Sequence, residues 1–121
     1  MVAIWGLSFK PKTDDIRESS ALFLVKKLLE AGVNVRAYDP AAVDETKKQI
    51  SNSVYYAEDP YDALKGADAL ALMTEWPEFY LPDFEKMSEL LNGKVIFDGR
   101  NIYDPEDLRD KGFTYFGIGR K

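Results

Sequence analysis

The sequence predicts an α/β fold: a Rossmann-like, doubly wound, mostly parallel sheet of about six strands with helices on both faces. Three observations predict it. Short apolar runs alternate with helical patterns about five times along the chain, and the connections between them are short. Several strand runs are continuously apolar, as in parallel sheets covered on both faces. Right-handed crossovers then fold such an alternation into a Rossmann-like strand order.

Val2 to Trp5 is the first apolar strand. Ala21, Leu22, Val25, Leu28 and Leu29 recur at helical spacing, with Lys26, Lys27 and Glu30 opposite, and Gly32 marks the helix stop. Val33 to Tyr38 reads as a strand ended by Asp39-Pro40, and residues 41 to 49 as a short polar helix. Val54 to Tyr56 is a brief strand, and Asp59-Pro60 opens a helix through Leu64 with the proline in its first turn. Ala67 to Thr74 reads as a central strand, and Trp76-Pro77 starts a loop. Residues 82 to 91 form a helix with Phe84, Met87, Leu90 and Leu91 inward. Lys94 to Asp98 is a strand, Pro105 to Asp110 a last helix, and Phe113 to Phe116 a last strand.

The 121 residues are expected to form one domain, with 45% hydrophobic and 31% charged residues in the balance of a soluble globular protein. No apolar run reaches membrane-spanning length and no signal-peptide pattern opens the chain, so a cytoplasmic location without membrane contact is expected. Cysteine is absent, which excludes thiolate nucleophiles and cysteine metal sites within these residues. Histidine is absent too, removing the commonest general base. A formal charge of −5 speaks against nucleic-acid binding, because no large basic face is available to displace counterions.

The loop from Gly6 to Ser20 concentrates the chemistry. In an open α/β sheet the carboxyl ends of the first, fourth and fifth strands meet near the switch point, where ligands bind. That edge would gather Phe9 to Arg17, Glu75-Trp76 and Asp98-Gly99-Arg100. The loop lacks the G-x-G-x-x-G spacing that lets backbone approach a pyrophosphate. Asp39 lies 33 residues after Gly6, where a ribose-binding acid stands roughly 20 on, and reads as a strand-end residue before a proline turn. A dinucleotide site of that type, and with it a small independent NAD enzyme, is disfavoured. Side chains would therefore have to meet phosphate charge: Lys10, Lys12 and the bidentate Arg17, with hydroxyls from Thr13, Ser19 and Ser20 and a platform from Phe9.

From the residues alone, other readings stay open. The lysines of the loop can instead pair with Asp14, Asp15 or Glu18 in solvent. Arg100 is either a ligand-binding cation or half of a structural pair with Asp98. Trp76 is either a base platform or a gap-filler beside Pro77, and Glu75 with Asp98 could form a carboxylate pair.

Gly6 to Ser19, together with Val35 to Pro40, Thr74-Glu75-Trp76 and Phe97-Asp98-Gly99-Arg100-Asn101, closely resembles the C-terminal, UDP-binding domain of the UDP-glucose/GDP-mannose dehydrogenase family. The resemblance spans essentially the whole chain and is nearest to the UDP-glucose branch. It implies a C-terminal fragment of an enzyme that oxidises the sugar's C6 alcohol to a carboxylate in two NAD-dependent steps, through a catalytic cysteine. NAD and that cysteine would belong to N-terminal and central domains, so these residues alone should be inactive. The resemblance further implies that Phe9, Lys10, Pro11, Lys12 and Thr13 contact the UDP-sugar, with Arg100 beside it. Arg17 would reach toward NAD, and the full-length enzyme would be a homo-oligomer. A free-standing nucleotide-binding or interaction module is the alternative.

Overall fold

The computed structural model describes residues 1–8, 19–50 and 54–117. Among these residues, six strands form an all-parallel sheet in the order β3-β2-β1-β4-β5-β6: β1 (Val2–Trp5), β2 (Val35–Tyr38), β3 (Val54–Tyr56), β4 (Ala69–Leu72), β5 (Val95–Asp98) and β6 (Thr114–Gly117). The strand order reverses between β1 and β4, which makes their carboxyl ends the switch point. The α-helices among the described residues are α1 (Ser20–Glu30), α2 (Val43–Gln49), α3 (Pro60–Leu64), α4 (Phe84–Leu90) and α5 (Pro105–Asp110).

Because side chains alternate across each strand, the sheet splits the core in two. Ala3, Trp5, Leu70, Leu72, Ile96 and Tyr115 point to the face covered by α3, α4 and α5. Ile4, Val35, Ala37 and Ala71 point to the opposite face, against Leu22 and Val25 of α1. This division follows from handedness. The chain moves one way from β1 to β3 and the other way from β4 to β6, so right-handed crossovers place the two helix sets on opposite faces.

The expected elements are found, with shifted ends. The second strand starts at Val35 rather than Val33 because α1 closes with a Schellman motif. Gly32, at φ +79°, donates its N–H to the Leu29 carbonyl, and Val33 donates to that of Leu28 at 2.9 Å. Val33 thus belongs to the helix end. The fourth strand is shorter than the apolar run around it, since Ala67 N–H turns back to the Leu64 carbonyl. Pro77–Phe79 is a 3₁₀ turn in which Phe79 is fully buried and stacks on Trp5 with ring centroids 4.9 Å apart.

Candidate functional site

The site is built at the carboxyl edge around the root of the first loop. Gly6 adopts φ +97°, and a Cβ there would sit 2.5 Å from the Thr74 Cβ. Only glycine permits so close a crossing of the chain after β1 by the chain after β4. Thr74 then donates its hydroxyl to the Ser8 carbonyl at 2.7 Å. On the other side of the loop, the Ser19 hydroxyl donates to the Leu7 carbonyl at 2.7 Å and accepts the Leu22 N–H at 3.4 Å, capping α1. Ser19 is buried and committed to these two bonds, which corrects its expected role as a phosphate hydroxyl.

Asp39 is the hub of this edge. It is 3% exposed, and one carboxylate oxygen accepts the Leu7 N–H at 2.8 Å, the Ser8 N–H at 3.3 Å and the Trp76 indole N–H at 3.1 Å. The other oxygen accepts the Ala41 and Ala42 N–H groups, both at 2.8 Å. A strand-end residue before a proline turn therefore does more than end the strand: it fastens three segments together. The Asp39-Pro40 pair carries the signal for the local half of this, since aspartate before a turn commonly accepts amides two and three residues on. The long-range half has no sequence signal. Trp76 is buried in the core with its indole committed to Asp39, so it fills space and is not a base platform.

On β5, Asp98 is buried and accepts the Arg100 N–H at 3.1 Å, the Tyr103 N–H at 2.9 Å and the Tyr115 hydroxyl at 2.8 Å. It shapes the turn rather than gripping the guanidinium. Arg100 instead sends Nε to the Met73 carbonyl at 2.7 Å and lies 3.6 Å from the Glu75 carboxylate, with both side chains about a quarter exposed (29% and 27%). Glu75 and Asp98 are thus engaged separately and do not form the carboxylate pair. No cluster of three or more histidine, cysteine, aspartate or glutamate side chains is placed to hold a metal among the described residues. Tyr103 and Tyr115, which carried no independent signal in the sequence, brace this turn. Burial, with the Asp98 charge next, pushes the Tyr103 phenol far above its usual range.

The structure therefore brings Arg100 to within one strand of the loop root, on the shared edge of β1, β4 and β5. Phe9, Lys10, Pro11, Lys12, Thr13 and Arg17 lie outside the described residues. The described residues do not fit a dinucleotide. The acid after β2 that would bind a ribose already accepts five N–H groups, and the turn after β1 has a single glycine.

Comparison with known proteins agrees with this geometry. The model of the UDP-glucose/GDP-mannose dehydrogenase family, UDP binding domain, matches residues 3–105. A UDP-glucose 6-dehydrogenase of Pseudomonas aeruginosa is 46% identical over 98% of this chain and 27% of the relative. The structure of a UDP-glucose dehydrogenase from Pyrobaculum islandicum superposes with a TM-score of 0.81 at 33% identity, over 99% of this chain and 25% of the other. That of a UDP-D-ManNAc dehydrogenase from Pyrococcus horikoshii gives 0.77 at 34% identity, again over 99% and 25%. The chain spans about a quarter of the length of these relatives.

Proposed function

Because the chain belongs to the UDP-glucose/GDP-mannose dehydrogenase family, as its UDP-binding domain, we propose that residues 1–121 hold the nucleotide of a UDP-sugar within a larger, NAD-dependent UDP-glucose 6-dehydrogenase. One observation carries the reading beyond the family: Arg100 and the two pinned ends of the first loop share the switch-point edge of the sheet. Lys10 and Arg100 meet the phosphate charge, and Phe9, Pro11, Lys12 and Thr13 complete the UDP-sugar contact. The Met73 carbonyl holds the Arg100 guanidinium at Nε on this edge, and arginine is the side chain whose planar fork suits a phosphate.

The contribution of this domain is positioning. NAD is held elsewhere in the dehydrogenase and supplies the hydride acceptor, and Arg17 is assigned to its binding. The oxidation at C6 uses a cysteine, and these residues contain none. The 121 residues alone are inactive, and the whole enzyme works in the cytoplasm as a homo-oligomer.

Calorimetric titration of the chain with UDP, UDP-glucose, GDP-mannose and NAD tests this. Weak UDP binding is expected, reduced about tenfold by Lys10→Ala and by Arg100→Ala, the usual scale of a lost charge-assisted hydrogen bond. Tight NAD binding, or UDP binding indifferent to both substitutions, would count against the proposal.

A further inference from the structure

Asp39, Glu75 and Asp98 lie at the carboxyl ends of β2, β4 and β5, and folding accounts for two of them. Asp39 accepts N–H groups from Leu7, Ser8, Ala41, Ala42 and Trp76. Asp98 accepts two amides and the Tyr115 hydroxyl. Glu75 accepts no hydrogen bond from any described residue. Its carboxylate stands 3.6 Å from Arg100 Nε, whose proton goes to the Met73 carbonyl at 2.7 Å, so the contact is one of charge. The backbone of Glu75 is held on both sides. Thr74 is fully buried and donates to the Ser8 carbonyl, and Trp76 is buried with its indole on Asp39. A negative charge is thus built in beside the arginine of the proposed site, partly shielded from water.

A carboxylate beside a phosphate-binding arginine opposes the phosphate, and opposes it more strongly the more charge the phosphate carries. Free UDP and a UDP-sugar differ in that respect. Above the second ionisation of a terminal phosphate, at about pH 6, free UDP carries one more negative charge than UDP-glucose, whose terminal phosphate is esterified to the sugar. A unit charge about 7 Å away, screened at a partly exposed site, changes affinity by a factor of about three or more. The ester escapes that extra repulsion.

We infer that Glu75 is a specificity-determining residue of the nucleotide site: its fixed negative charge favours a sugar-bearing diphosphate over the free nucleoside diphosphate. This rests on the reading that Arg100 meets the phosphates of a UDP-sugar. The test is calorimetric titration of the wild-type, Glu75→Gln and Glu75→Asp chains with UDP, UDP-glucose and the β-methyl ester of UDP. Conditions are about pH 8 and about 10 mM salt. Glu75→Gln keeps the shape and removes the charge. Its affinity for UDP should rise about threefold or more relative to its affinity for UDP-glucose. The methyl ester, with the charge of UDP-glucose and no sugar, should follow UDP-glucose. Glu75→Asp keeps the charge, and its ligand ratio should stay within about twofold of wild type. Raising salt to about 0.15 M shortens the screening length from about 30 to about 8 Å and should shrink the excess, a dependence that a purely structural Glu75 would not produce. An unchanged ligand ratio in Glu75→Gln, an ester that follows UDP, a Glu75→Asp chain that behaves as Glu75→Gln, or an excess indifferent to salt overturns the inference. Arg100→Ala separates the two readings. UDP binding that weakens in Arg100→Ala, with an unchanged ratio in Glu75→Gln, removes the role of Glu75 and leaves the proposed function standing. No binding of any ligand, or binding indifferent to Arg100, removes the nucleotide site and the inference with it.

Discussion

The Asp39 carboxylate accepts the Trp76 indole N–H at 3.1 Å, which ties the end of β2 to the segment leaving β4. With the Leu7 and Ser8 amides on the same oxygen, one buried side chain sets the spacing of three strand ends at the switch point. A Rossmann sheet that binds a dinucleotide keeps its acid in this position for a ribose. Here the acid is turned inward and spent on the protein itself.

Asp39→Asn is accordingly expected to destabilise the chain by about 2 to 4 kcal/mol, because an amide nitrogen must face either the three donors on one side or the two on the other. Urea denaturation measures the loss. A shift of Trp76 fluorescence toward the solvent-exposed range should accompany it, and an unchanged midpoint would show that water replaces the carboxylate without cost.

The crossing of Gly6 and Thr74 gives a second expectation. Gly6→Ala introduces a Cβ that lies 2.5 Å from the Thr74 Cβ and 2.6 Å from its backbone nitrogen, at a φ that L-residues avoid. The cost should be about 3 kcal/mol or more. Trimming the neighbour with Thr74→Gly should not rescue it, since the backbone clash remains. Recovery of the urea midpoint in the double variant would show that the side chain alone sets the limit.

Alkaline stability follows from the phenols. Burial, and then the Glu78 carboxylate that accepts the Tyr38 hydroxyl at 3.1 Å, push Tyr38 up to about 12 from the ordinary 10.0. The folded state therefore holds this proton more tightly than the unfolded chain. Its contribution is complete below pH 10 and is lost as pH rises through about 12. Tyr56 and Tyr103 are shifted in the same direction, both chiefly by burial. Melting temperature should fall across this window, and less steeply in Tyr38→Phe. An identical slope in the variant would remove Tyr38 from the account.

The order of elements was readable because the buried parallel strands are apolar runs, separated by glycines and prolines at the turns. The edge that collects Arg100 and the two ends of the first loop followed from strand order alone. The roles of Asp39 and Ser19 did not. Sequence names the side chain but not the amide that folding brings to it, and the Asp39 partners Leu7 and Trp76 lie 32 and 37 residues away. Ser19 looked available for phosphate, yet helix capping and the Leu7 carbonyl claim its hydroxyl. The pairing of Arg100 with Asp98, one of two readings open in the sequence, is not made, because the Asp98-Gly99-Arg100 turn directs Asp98 to backbone amides.

That turn supplies the last prediction, which separates stability from ligand affinity. Tyr115→Phe removes one donor from Asp98 but leaves the Arg100 and Tyr103 amides bound to it. It should cost about 1 to 2 kcal/mol of stability and change UDP affinity by less than about twofold. Asp98→Ala strands both amides and frees the turn, in which Asn101 holds a left-handed φ of 57°. The stability cost should rise to about 2 to 4 kcal/mol, and UDP affinity in the still-folded protein should drop about tenfold, matching Arg100→Ala. The reason is geometric: the Met73 carbonyl captures Arg100 Nε only while Asp98 fixes the backbone that carries it. Calorimetry at low temperature, where both variants remain folded, gives the comparison. Wild-type UDP affinity in Asp98→Ala would mean that Arg100 finds its phosphate without the turn, and equal affinity losses in both variants would mean that Tyr115 also aims the arginine.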